Sequence, residues 1–114
     1  MRHVRQTIAV LGTLGALLAA SAPAQADPVD DGRELLALYC SDCHAIERTG
    51  DSPHAEAPPF RELHLRYDVE DLSEALVEGL VSGHPDMPEF EFDPMQAEAI
   101  IAYLKSLEQS ADSE

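Results

Sequence analysis

Apolar positions along the chain fall into four blocks with helical spacing and one with no polar face. The unpatterned block is residues 8–20, which carries no charge. Arg2 and Arg5 precede it, Ala24-Gln25-Ala26 follows it, and the composition turns acidic at Asp27. A positive start, an apolar run and a small-x-small site make the layout of a secretory signal peptide. The competing reading is an uncleaved anchor, but the run is shorter than the ~20 residues a spanning helix needs and Pro23 follows it. The chain divides into residues 1–26, a signal peptide, and residues 27–114, one mature domain with no stable membrane insertion.

The patterned blocks predict short helices and no convincing strand, hence an all-α fold. The first covers 31–43, with Asp30 or Asp31 as cap and Leu35, Leu36, Tyr39 and Cys43 on one face. Residues 47–59 read as a loop, with Gly50, Pro53, Pro58 and Pro59. A brief helical turn is expected over 60–66. Asp68 is placed to cap a helix bearing Val69, Leu72, Leu76, Val77 and Leu80, with Gly83 as its stop. His84-Pro85-Asp86-Met87-Pro88 holds two close prolines and is non-helical. The last helix begins at Asp93-Pro94, with Gln96 completing a capping box and Ala97, Ile100, Ile101, Leu104 and Leu107 as the buried stripe. The tail 110–114 is polar and expected to fray.

Charge narrows the range of partners. Removing Arg2 and Arg5 leaves five Lys and Arg against 22 Asp and Glu, so the formal charge moves from −15 to −17. That balance opposes binding to nucleic acid, which depends on cations meeting phosphates, and opposes docking on anionic lipid. It suits solubility or a partner with a basic face. A mature chain of 88 residues also builds a thin core, and domains of this size commonly need a staple.

The staple is written in Cys40-Ser41-Asp42-Cys43-His44. Cys-x-x-Cys-His is a c-type haem attachment signal. Residues three apart lie on one face of a helical turn, so two thiols can add to the two vinyl groups along one haem edge. His44 then follows as the proximal iron ligand. A thioredoxin-like pair would need a βαβ pattern. A zinc site would need histidines at a spacing that His54, His64 and His84 do not have.

With this motif near the start, and Met87-Pro88 near the end, residues 29–109 resemble a class I cytochrome c, most closely the small soluble bacterial periplasmic type. The resemblance implies three to four short helices around one covalently bound haem c, with cofactor-binding residues Cys40, Cys43, His44 and Met87, the last two as iron ligands. Met95, in the first turn of the last helix, and His84 remain rivals for the sixth position. The resemblance further implies that Pro58 or Pro59 supports His44 through its carbonyl, with Pro58 preferred, and that Gly32 and Tyr103 form the contact between first and last helices. Phe60, Leu63, Tyr67, Leu72, Leu76, Phe90 and Ile100 are expected to line the haem or the core around it.

The expected function is one-electron transfer between periplasmic or membrane redox partners by a monomer with both axial positions filled, and not an enzyme. The alternatives are a dedicated haem subunit of an oxidase or dehydrogenase, a gas sensor or weak peroxidase with a labile distal site, and a haem-free thiol oxidoreductase.

Overall fold

The computed structural model describes residues 20–111. Most of the predicted signal peptide, and the end of the tail, lie outside the described residues. Within them, three α-helices, α1 (Pro28–Tyr39), α2 (Leu72–Glu78) and α3 (Pro94–Ala111), are joined by 3-10 turns at Phe60–Leu65 and Val69–Asp71. The only pairing of extended chain among them is an isolated antiparallel bridge between Leu80 and Phe90. The all-α expectation holds.

Helix α1 starts three residues before the predicted position. The cap is Asp27, whose side chain accepts from the Val29 amide at 2.9 Å, and Pro28 stands in the first turn. An acceptor followed by a residue with fixed φ and no N–H to satisfy is a stronger start than the aspartates further on. The helix also ends sooner, at Tyr39, with Cys40 at φ −123°. The two cysteines therefore lie on the adjoining turn rather than within the helix.

The second predicted helix is shorter too. Asp68, expected to cap it, caps the 3-10 turn Val69–Asp71 instead, accepting from Glu70 N at 3.0 Å, and α2 begins only at Leu72. The stop is Gly79, at φ 112°, not Gly83. Gly83 has positive φ as well, but by then Leu80 has left the helix and its amide donates to the Phe90 carbonyl at 2.7 Å. At the last helix the capping box is reciprocal: Gln96 N donates to Asp93 Oδ1 (2.9 Å) and Asp93 N to Gln96 Oε1 (3.1 Å).

The body of the fold is α1 packed on α3. A Cβ built on Gly32 would lie 1.9 Å from the Ala99 carbonyl oxygen and 3.0 Å from Tyr103 Cβ. Only a residue without a side chain lets the helices meet there. Leu36, Ile46, Leu63, Val69, Leu76, Phe92, Ile100, Ile101, Leu104 and Leu107 close the core around this contact. It places the end of α1, and hence the cysteine turn, beside the long buried face of α3.

Candidate haem site

The turn after α1 is held by its own backbone. Cys43 N and His44 N both donate to the Cys40 carbonyl, at 3.2 and 2.9 Å. The three-residue spacing is thus realised on a closed turn, although outside α1. Cys40 packs against the core. Burial, with a smaller contribution from Cys43, pushes the Cys40 thiol up to about 11. Such surroundings disfavour a thiolate at Cys40.

His44 is oriented by the loop on its C-terminal side. Its Nδ1 lies 2.8 Å from the Pro58 carbonyl oxygen. A carbonyl only accepts, so Nδ1 carries the proton and Nε2 keeps the lone pair a metal would use. Phe60 packs on the imidazole, with ring centroids 4.6 Å apart at 31°. The chain on either side is pinned: Ala45 N donates to Ser52 Oγ (3.0 Å), His54 N to Cys43 O (3.1 Å) and Phe60 N to Ala45 O (2.9 Å). Tyr103 reaches from α3 to donate its hydroxyl proton to the Ile46 carbonyl at 2.8 Å. Burial foremost, then Glu47, raises its ionisation above the usual tyrosine value. Between Pro58 and Pro59, the hydrogen bond selects Pro58, while Pro59 caps the 3-10 turn.

Met87 lies on the excursion 81–89, whose neck is the Leu80–Phe90 bridge. Phe92 N donates to Leu76 O at 2.8 Å just beyond it. Tyr39, Phe90 and Phe92 pack together where the excursion returns, with Tyr39 edge-on to both phenylalanines. Met87 is half-buried and its amide donates to the His84 carbonyl at 3.2 Å. Met95 is 80 % exposed on α3, in a shallow groove with Leu35 and Leu38. His84 turns its Nε2 to Glu56, 3.1 Å away. Of the expected lining residues, Leu63, Leu76 and Ile100 are buried in the core, and Phe60, Leu72 and Phe90 pack against it. Tyr67 is 43 % exposed.

The sequence pattern gave no sign of the polar ties. Arg33 pairs with Glu47, Ser52 holds Ala45 N, and His54 and His84 each meet a carboxylate across the site. The tied groups are 7 to 32 residues apart, beyond the reach of local periodicity. Among the described residues no group of three or more His, Cys, Asp or Glu is arranged to hold a metal ion.

A cysteine pair on a closed turn, a histidine presenting Nε2 beside it and an apolar core alongside define a protein that holds a c-type haem. Comparison with known proteins agrees. The cytochrome c family model matches residues 29–108, and the chain belongs to that family. It is similar to cytochrome c-552 of Bradyrhizobium diazoefficiens, 31 % identical over 105 residues that cover 92 % of this chain and 95 % of the relative. No solved structure gives a significant match. The family implies covalent haem c, and the protein is an electron-carrier haem protein. Among the described residues no helix is long and apolar enough to cross a membrane.

Proposed function

We propose that the chain is exported to the periplasm, loses residues 1–26, and works as a one-electron shuttle rather than an enzyme. In this reading Cys40 and Cys43 would carry the haem as thioethers, and His44 and Met87 would bind its iron. The observation that carries it is the 2.8 Å contact between His44 Nδ1 and the Pro58 carbonyl, which leaves the other ring nitrogen with the lone pair an iron would use. Bound haem would supply the Fe(III)/Fe(II) couple, and a methionine ligand would favour the reduced state.

The chain's own part is to fix the ligands before the electron moves. The backbone turn holds His44, the Pro58 carbonyl sets its ring plane, and α3 packs against α1 beside the turn. The position of Met87 on a non-helical excursion favours it over Met95, which α3 carries on its exposed face. The engagement of His84 Nε2 with Glu56 counts against a bis-histidine iron.

Partners are read from charge. Asp42, Asp86, Glu89 and Glu91 are all exposed on the segments bearing the cysteines and Met87, so a basic docking face suits this side. Purified holoprotein should stain for haem on a denaturing gel. When oxidised it should show the long-wavelength sulfur-to-iron charge-transfer band, and it should bind exogenous ligands poorly. A colourless protein with a reducible Cys40–Cys43 disulfide would refute the reading. A haem protein that lacks the band and takes up gases rapidly would move it to a sensor or peroxidase.

A further inference from the structure

The excursion that bears Met87 crosses over to a second loop, and the crossing is reciprocal. From the excursion, Asp86 Oδ2 meets His54 Nε2 at 3.4 Å and His84 Nε2 meets Glu56 Oε2 at 3.1 Å. Each segment thus contributes one imidazole and one carboxylate. The two rings lie edge to face, with centroids 6.1 Å apart. A carboxylate only accepts, so each ring presents Nε2–H.

The two contacts join the supports of the two candidate iron ligands. His54 belongs to the framework of the proximal ligand: its amide donates to the Cys43 carbonyl, its own carbonyl accepts from Ala57 N, and Pro58, the partner of His44, comes next. Its Nδ1 accepts from the Glu56 amide at 3.3 Å, which fixes the imidazole and the carboxylate relative to each other. On the other side, Asp86 precedes Met87 and the His84 carbonyl accepts the Met87 amide proton at 3.2 Å. His84 is set in turn by its amide donating to Ser82 Oγ. Away from the Leu80–Phe90 neck, most of the excursion is exposed. Its apolar anchorage lies at the ends and its crossing contacts lie beside the methionine.

We propose that His54–Asp86 and His84–Glu56 form a two-point clasp that holds the Met87 segment against the framework of His44, so that these four are positioning residues which slow the departure of Met87 from iron. The inference rests on the Met87 ligation proposed above. Exposed pairs are individually weak, so each alone should change the dissociation rate by about twofold to fivefold. The two share one loop and one ordering cost, so their removal together should be felt as a unit.

The test is the rate at which imidazole replaces the sixth ligand in the oxidised holoprotein, a rate limited by methionine dissociation. His54→Ala and His84→Ala should each raise it, and the double variant should raise it about tenfold, with the charge-transfer band still present before imidazole is added. His84→Gln, which restores an N–H donor, should recover part of the effect. In a Met87→Ala background the same alanine substitutions should no longer accelerate binding, whereas a general loosening of the fold would accelerate it there too. Unchanged rates with the band intact overturn the clasp and leave the ligation standing. Equal acceleration in the Met87→Ala background also overturns the clasp. A parent protein without the band overturns the ligation, and the clasp with it.

Discussion

The two sides of the candidate haem site are built in different ways. On the His44 side, the segment between Cys40 and Phe60 is cross-linked by backbone bonds, a serine cap and a carbonyl on the imidazole, and Ala45 and Ile46 are buried beneath it. On the Met87 side, a nine-residue excursion is fastened at its neck and touches the body through exposed histidine-carboxylate pairs. In the proposed ligation the first ligand would be set by the polypeptide, and the second by a loop fastened at its neck and held by the proposed clasp. A carrier with that ligation would gain from the division, because one rigid ligand would fix the iron's place while the other would tune its potential.

The contrast can be broken most severely at the attachment turn. Cys40→Ala or Cys43→Ala should lose stable covalent haem and most of the folded protein, because the haem supplies core that so short a chain cannot build alone. Haem stain retained in full on a denaturing gel would refute the attachment. Next is the helix contact beneath it. Gly32→Ala puts a methyl group where the Ala99 backbone already stands, so α1 must move. A cost of about 3 kcal/mol is expected, at the upper end of overpacking because the obstacle is backbone. Denaturant unfolding of the holoprotein reads it.

Changes on the Met87 side should spare the fold and move the potential. Met87→His should keep the haem and lower the reduction potential, since imidazole favours Fe(III) more than a thioether does. Met95→Leu should leave the potential where it is. A redox titration in which these two variants exchange behaviour would transfer the ligand to Met95. A milder probe of the His44 side is Tyr103→Phe, which removes the donor to the buried Ile46 carbonyl. About 1–2 kcal/mol of stability should go, with little change in potential. The smallest expected effect concerns association: transfer to a basic partner should slow as salt rises, because attraction between charged faces is screened over a Debye length of roughly 8 Å at physiological ionic strength. A flat stopped-flow profile would leave the acidic surface with solubility alone.

The same contrast separates what was legible in the sequence from what was not. The capping box at Asp93 and Gln96 and the buried stripe of α3 are local patterns found where their spacing put them, whereas the cysteine spacing is realised on the turn after α1, not within it. Gly32, Tyr103 and Pro58 were legible through resemblance, and the geometry then supplied their causes: a Cβ with no room, a buried carbonyl, an imidazole proton. The ends of α1 and α2 were misjudged because apolar spacing continues past them. Asp27-Pro28 outcompetes later caps, and Gly79 breaks a stripe that still contains Leu80. The pairings of His54 with Asp86 and of His84 with Glu56 join residues 32 and 28 apart. Nothing local encodes them, and from sequence His84 read as a rival iron ligand.

The most direct test of the account is the methionine that iron selects. The chain has three methionines, Met1, Met87 and Met95, and Met1 lies in the segment expected to be removed. In reduced holoprotein labelled with carbon-13 at the methionine methyl groups, the account predicts one methyl resonance displaced far upfield by the haem ring current, absent in Met87→Leu and retained in Met95→Leu. A displaced resonance that survives Met87→Leu, or no displaced methyl in the parent protein, would contradict it.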